Sequence, residues 1–199
     1  YSDNNYSILF GNGDGSFTSA TNAPTGGNRP RSGAGADVNG DSKQDLIFAN
    51  ETSHSIAVLL GNGNGTFQSP VTYPVSGNNP YKVLLVDVNG DQILDAITAN
   101  ASSANISILQ GNGNGTFGTA TVLTASSTPR GVASGDFNHD GRTDLAVINA
   151  GNNTVGVFLR KADGTFADQI TYGAASSDPY DIIAADITGN GSTDLIVAS

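Results

Sequence analysis

An acidic loop of nine residues recurs four times along this chain. Its first copy reads Asp37-Val-Asn-Gly-Asp-Ser-Lys-Gln-Asp45. The other copies begin at Asp87, Asp136 and Asp186, so the first aspartates lie 50, 49 and 50 residues apart. A fixed period of this length is the mark of one structural unit repeated along the chain. The loop therefore decides the fold as well as the candidate site.

Every copy of the loop carries oxygen-bearing side chains at positions one, three, five and nine. This is the ligand pattern of a hard divalent cation, and Ca²⁺ takes about six to eight such oxygens. Position seven would contribute its backbone carbonyl oxygen. The predicted ligands are Asp37, Asn39, Asp41, Lys43, Asp45, Asp87, Asn89, Asp91, Ile93, Asp95, Asp136, Asn138, Asp140, Arg142, Asp144, Asp186, Thr188, Asn190, Ser192 and Asp194.

The pattern predicts up to four Ca²⁺ ions, and the fourth site is the weakest. Asp186 and Asp194 are two carboxylates where each other loop has three. The alternative is a set of metal-free Asx turns with solvated aspartates. Three carboxylates within nine residues repel one another without a cation, which favours the metal.

The amino-acid composition indicates the fold class and excludes some kinds of partner. The chain has 26 glycines, no cysteine and no long run of apolar residues, so we expect an all-β protein without disulfides or a membrane-spanning helix. The net charge is −10, and eleven of the eighteen acidic residues lie in the four loops. The eight lysines and arginines form no run in the sequence. Nucleic acid and acidic membranes are therefore not expected as partners.

A second element repeats in step with the loop. An apolar stretch, a Gly/Asn-rich turn and a phenylalanine recur in the same order, and they predict a β-hairpin whose second strand opens at the phenylalanine. The four copies span 8–17, 58–67, 108–117 and 157–166.

A proline and a short apolar run precede each loop, and another apolar run follows it. One period thus holds four short strands, which is typical of a β-propeller blade. We predict one domain, 1–199, made of a half blade (1–25), blades at 26–75, 76–124 and 125–174, and a half blade (175–199). The two halves together make one blade. Paired within this chain they would close a four-bladed ring, and paired with neighbouring chains or with further repeats they would give a larger ring or an open assembly. A parallel β-helix has shorter rungs, and a β-sandwich has no reason to repeat one loop.

The loops and hairpins together resemble the FG-GAP repeat and its bacterial relative, the VCBS repeat. The resemblance covers essentially the whole chain, because both motifs recur four times in the same order. It implies a Ca²⁺-binding β-propeller of the kind found in the integrin α-chain head. It also implies an extracellular or cell-surface protein that serves in adhesion, carbohydrate binding or attachment to larger enzymes. Four blades would depart from the seven of that head.

A third repeated position alternates between arginine and tyrosine. Arg31, Tyr81, Arg130 and Tyr180 each follow a proline, and in a ring they would gather at one end. Such residues can bind sugars or anions, although packing between blades is the alternative. No catalytic constellation is evident, because His54 and His139 lack partners and Ca²⁺ would keep the loop aspartates ionised.

The sequence therefore predicts a non-enzymatic, Ca²⁺-stabilised module with a protein or glycan partner at the cell surface. A lectin-like module is one alternative. A subunit of a surface filament, joined to copies of itself through the split blades, is another.

Overall fold

The protein is built of short antiparallel strands joined by turns. The computed structural model describes residues 3–19, 21–174 and 177–199, and these contain sixteen strands. The described residues include no helix, and so no helix that could cross a membrane. Residues 1–2, 20 and 175–176, all within the predicted half blades, lie outside the described residues. The expectation of an all-β chain is confirmed.

Three sheets have four strands each, and we call each of them a blade. The strands of each blade follow one another in sequence order. Blade one contains β3 (Pro30–Ala36), β4 (Asp45–Asn50), β5 (Ser55–Leu59) and β6 (Val71–Pro74). Blade two contains β7 (Pro80–Val86), β8 (Asp95–Asn100), β9 (Asn105–Leu109) and β10 (Thr121–Thr124). Blade three contains β11 (Pro129–Gly135), β12 (Asp144–Asn149), β13 (Thr154–Phe158) and β14 (Ile170–Gly173).

Two further sheets have two strands each and flank the three blades. β1 (Asn5–Ile8) pairs with β2 (Thr21–Pro24), and β15 (Asp181–Ala185) pairs with β16 (Asp194–Ala198). The first pair matches the outer half of a blade, and the second pair matches the inner half. Tyr6 of β1 stacks on Phe48 of blade one with ring centroids 5.3 Å apart, and Ile182 of β15 lies in an apolar cluster with blade three.

The first strands of the units lie side by side around a common axis. β3 packs against β7, β7 against β11, and β11 against β15. Lys82 of β7 also reaches across to Asp181 of β15, with a distance of 2.9 Å between Nζ and the carboxylate. The acidic loops follow the far ends of these inner strands, and the residues after the prolines stand at their near ends.

The hydrophobic core is divided into layers between neighbouring sheets. Ile47 and Val58 of blade one meet Leu109 and Phe117 of blade two, and all four side chains are buried. A second layer joins blades two and three, and a third joins blade three to β15 and β16. Strands covered on both faces carry uninterrupted apolar residues, and this explains the short apolar runs of the sequence.

The hairpins differ from the prediction in one respect. The phenylalanine of each hairpin forms only an isolated bridge, such as Gly61 with Phe67, and the following strand begins four residues later. In two units the bridge position must be glycine, because there is no room for a side chain. A Cβ on Gly61 would overlap the carbonyl oxygen of Gln44, and one on Gly111 would overlap that of Leu94.

Candidate metal loops and axial site

The first aspartate of each acidic loop organises the loop backbone. Asp37 accepts N–H bonds from Gly40 at 2.7 Å through Oδ1 and from Ser42 at 2.7 Å through Oδ2. Asp186 accepts the matching bonds from Gly189 at 2.7 Å and Gly191 at 2.8 Å. Asp87 accepts the matching bonds from Gly90 and Gln92, whereas Asp136 accepts from Asp140 and Gly141. Converging N–H groups of this kind favour a negative charge.

These N–H donors govern the pKa of the first aspartates. Desolvation acts to raise the pKa of Asp37, but the backbone N–H groups outweigh it and hold the pKa below its usual value. The N–H of Gly141 is the largest influence on Asp136, and the N–H of Gly191 is the largest on Asp186; the pKa of each carboxyl is lowered. These three carboxylates are therefore ionised at neutral pH.

Positions three, five and seven continue the same loop. Asn39 accepts the N–H of Asp41 at 3.0 Å, and Asp41 accepts the N–H of Lys43 at 3.0 Å. The ammonium group of Lys43 also lies 3.0 Å from the carboxylate of Asp41, and this bond is the main reason that the pKa of Asp41 is lowered. In the third loop Arg142 pairs with Asp140 in the same way. A basic side chain thus partly neutralises position five in two of the four loops.

The ninth position has a structural task that the sequence did not reveal. Asp45 is fully buried and accepts the N–H of Val38 at 2.9 Å and the N–H of Gly61 at 2.8 Å. It therefore ties the acidic loop to the hairpin of the same blade. Asp95 and Asp144 make the equivalent pairs of bonds. Burial raises the pKa of Asp95 above its usual value, and the N–H bonds of Gly111 and Val88 oppose that rise.

The four loops lie at one end of the molecule and contact their neighbours. The hydroxyl of Thr143 donates to the carbonyl of Asp87 at 3.2 Å, and His139 Nε2 lies 3.1 Å from Ser192 Oγ. Within the described part of the chain, no group of three or more His, Cys, Asp or Glu side chains is gathered as a metal cluster. The side chains of each loop nevertheless suit a hard cation, because their donors are carboxylate, amide and hydroxyl oxygens. The assignment of the loop residues as ligands stays a prediction.

The predicted Arg and Tyr positions gather at the opposite end of the axis. The guanidinium of Arg31 lies 4.6 Å from the ring centroid of Tyr81, and that of Arg130 lies 5.7 Å from both Tyr81 and Tyr180. The two tyrosine rings meet edge to face at 6.0 Å. With Lys82 and Asp181 these residues line a pocket of about 290 Å³, which we call the axial pocket.

β-Bulges direct three of these side chains to the axis. Pro30 pairs with Asn50 and Ser32 with Ala49, so Arg31 is an extra residue between two paired positions. Tyr81 holds the same place in blade two, and the register also shifts beyond Pro129 beside Arg130. Bulges often re-aim a side chain at a functional site. The proline–arginine and proline–tyrosine pairs were the visible sequence signal, but the bulge was not.

Three of the eight basic residues, Arg31, Lys82 and Arg130, line this pocket, although they are scattered in sequence. Arg29 and Arg31 share the carboxylate of buried Glu51. Lys82 pairs with Asp181 at 2.9 Å, and Arg130 pairs with Asp178 at 3.0 Å. The lining itself holds three cations and one carboxylate, Asp181, in a chain whose net charge is −10.

Neither histidine is a predicted ligand or a residue that lines the axial pocket. His54 is exposed and accepts the N–H of Asn79 at 3.1 Å, and His139 is exposed within the third loop, at a position without a ligand role. The acidic loops and the axial pocket are therefore the two candidate sites of the described residues, at opposite ends of the inner strands.

These features define an all-β repeat protein with propeller-like blades and one acidic loop in each unit. The FG-GAP-like repeat model matches residues 37–98, 87–147 and 138–197, and the chain belongs to that family. The resemblance inferred from the loops and hairpins is confirmed. No curated protein matches this sequence significantly.

Solved structures share the fold at low sequence identity. A lectin of Agrocybe aegerita that recognises non-reducing terminal N-acetylglucosamine has a TM-score of 0.62 and 19% identity, covering 96% of this chain and 54% of that one. The NanB sialidase of Streptococcus pneumoniae has a TM-score of 0.62 and 14% identity, covering 92% and 30%. A protein of unknown function from Desulfotomaculum acetoxidans has a TM-score of 0.59 and 17% identity, covering 79% and 45%. The chain thus spans about half or less of these proteins.

Proposed function

We propose that this chain is a non-enzymatic, calcium-binding module of an extracellular or cell-surface protein, where it binds a protein or glycan. The observation that carries the proposal is the acidic loop itself. In all four copies the first aspartate accepts backbone N–H bonds from loop positions five and six, although the other residues of the loops differ. A cation bound by the remaining oxygens would fasten the loop end of each unit.

Calcium would matter to stability because the core is divided into thin layers. Consider a ligand that binds only the folded state and whose free concentration is about one hundred times its dissociation constant. Such a ligand adds about 2.7 kcal/mol to the free energy of unfolding. Several occupied loops would therefore add a large share of a typical stability of about 5–15 kcal/mol. The first three loops should bind more tightly than the loop at 186–194, which has fewer carboxylates.

Calcium removal tests this proposal directly. Native mass spectrometry should count up to four Ca²⁺ ions per chain, and EDTA should lower the melting temperature and reduce that count. Asp41→Asn and Asp91→Asn should each remove one ion, because each changes a ligand in one loop. Asp163→Asn is the matched control, since Asp163 lies in a hairpin turn where it accepts bonds from Thr165. An unchanged melting curve in EDTA, with no metal counted, would overturn the calcium proposal.

A lectin-like role is the second candidate. It is supported by the fold shared with the Agrocybe aegerita lectin and by the Arg and Tyr side chains of the axial pocket. Binding of the calcium-loaded chain to a glycan array would support this role. If no glycan binds an oligomeric preparation, a protein partner is favoured instead.

We further propose that the two half sheets complete one blade, with β16 pairing with β1. Equivalent residues support this pairing. Leu59, Leu109 and Phe158 are buried between blades, whereas Leu9 at the same position is 52% exposed. An apolar groove of about 780 Å³ lies between β13, β14 and β16, where the next unit's outer strands would pack.

The hydrogen bonds of the ninth aspartate support the same pairing. Asp45 accepts its second bond from Gly61, whose equivalent in the first hairpin is Gly11. Asp194 already accepts the first of the two bonds, from Ile187 at 3.0 Å. Pairing of β16 with β1 would bring the N–H of Gly11 to the second oxygen of Asp194. The partner strand could come from the same chain or from a second copy, and the latter would build the filament considered above.

A further inference from the structure

The axial pocket is the part of the molecule that the calcium loops do not use. It lies at the opposite end of the inner strands, and its principal residues come from all four repeats. We propose that it binds the carboxylate of a small acidic ligand, of the size and chemistry of a uronic acid. This deepens the binding role proposed above by naming a ligand class for one site.

Arg130 provides the first argument. Its guanidinium donates through a terminal nitrogen to Asp178 at 3.0 Å, while its Nε is buried and has no hydrogen-bond partner among the described residues. A buried donor without a partner costs about 1–3 kcal/mol, and more for a charged group. Because Nε is enclosed, a carboxylate oxygen would bond it after a small shift of the Arg130 side chain, and the planar guanidinium fork matches carboxylate geometry.

Arg31 provides the second argument. It bonds Glu51 through Nε, so that bond leaves both terminal nitrogens of the guanidinium unused. The guanidinium also stacks on Tyr81, which holds its plane in place without using any of its N–H donors. Arg31 and Arg130 thus flank one tyrosine ring, and a single carboxylate between them could accept from both.

The electrostatics of the pocket favour an anion. Three cations, Arg31, Lys82 and Arg130, line the pocket with one carboxylate, Asp181, so an anionic ligand would meet a positively charged lining. Tyr180 is about half exposed and lines the pocket beside the arginines. The volume of about 290 Å³ stands at the lower end of small-molecule sites and suits a single sugar ring.

The backbone supports a built site. The residues before the four prolines, Arg29, Asn79, Thr128 and Asp178, all have φ between 54° and 58°. A left-handed conformation is uncommon for non-glycine residues and costs free energy, and such residues cluster where side chains must be aimed. Together with the bulges, this backbone fixes the start of each inner strand at the pocket.

Calorimetric titration with glucuronate tests the proposal, at constant ionic strength and with calcium present. We expect glucuronate to bind and glucose, which lacks the carboxylate, to bind at least about tenfold more weakly. Arg130→Gln and Arg31→Gln should each weaken glucuronate binding by about tenfold or more. Lys161→Gln is the matched control, since it removes the same charge from an exposed site outside the pocket.

Two further measurements keep the result interpretable. In ¹⁵N spectra, the Nε–Hε resonance of Arg130 should shift on addition of glucuronate, and Arg130→Lys should retain the fold while losing most of the affinity. Equal binding of glucuronate and glucose, or full binding by Arg130→Gln, would overturn the axial site. A calcium-loaded, folded chain that fails to bind glucuronate would also overturn it, while the calcium proposal would stand.

Discussion

At the residue scale, one side-chain type performs two tasks in each acidic loop. Asp37 orders the loop backbone from within, whereas Asp45 is buried and joins the loop to the hairpin. The spacing of the aspartates predicted a shared role as ligands, because spacing alone cannot distinguish a residue at the loop from one beneath it. The partner of Asp45 is Gly61, sixteen residues away, and a contact of that kind leaves no local signal in the sequence.

Substitution of Asp45 separates these tasks. In EDTA, we expect Asp45→Ala to lower the free energy of unfolding by about 1–3 kcal/mol for each of the two N–H groups that it leaves unpaired. Asp41→Ala, in the exposed part of the loop, should have little effect under the same conditions. Urea denaturation of both variants provides the measurement. If the two variants matched the parent chain in EDTA, Asp45 would act only through the metal.

At the element scale, repetition made much of the fold predictable. Loop and hairpin recur at one spacing, so the sequence indicated four-stranded units, and the structure contains three such sheets and two matching halves. The late start of each outer strand was not predicted, because the phenylalanine packs on the neighbouring sheet rather than opening a strand. Phe117 lies 5.8 Å from Tyr73 of the preceding blade, for example. The bulge at Arg31 was also missed, since one extra residue leaves the apolar pattern almost unchanged.

The phenylalanine of the hairpin gives a prediction for this scale. Phe117 is 6% exposed, and its replacement by alanine should cost about 3–5 kcal/mol. Phe17, its equivalent in the first hairpin, is 63% exposed. If β1 completes the blade of β16, Phe17 would pack on Tyr172, and Phe17→Ala should approach the same cost. Urea unfolding of the two variants makes the comparison, and a neutral Phe17→Ala would argue against completion of that blade.

At the scale of the whole molecule, charge is separated along the axis. The acidic loops concentrate negative charge at one end, and three of the eight basic residues line the pocket at the other. This separation could not be predicted from the scattered positions of Arg31, Lys82 and Arg130, because only the convergence of the inner strands brings them together. Calcium bound at the loops would reduce the difference in charge between the two ends without altering the axial pocket. The two proposed sites can therefore be tested independently.

The pairing that completes the split blade can be tested by disulfide crosslinking. The chain has no cysteine of its own, so two introduced cysteines can react only with each other or with those of another copy. Phe48 pairs with Ala57 in blade one, Thr98 with Ser107 in blade two, and Val147 with Gly156 in blade three. The equivalent pair across the split is Val197 with Ser7. We therefore expect the double variant Ser7→Cys, Val197→Cys to form a disulfide under mild oxidation, because paired positions lie within about 4.5–5.5 Å of each other.

The control for this crosslink is Ser7→Cys with Ile196→Cys. A shift of one residue places the second cysteine on the opposite face of the sheet, so this pair should crosslink far less. Mass spectrometry without reductant then separates the two sources of the partner strand. A disulfide within one chain identifies β1 of the same molecule, and a disulfide-linked ladder identifies a neighbouring copy. In the three complete blades the residues equivalent to Ser7 and Val197 lie directly opposite each other. If the Ser7→Cys, Val197→Cys variant crosslinked no faster than the control, that result would contradict the pairing of β16 with β1.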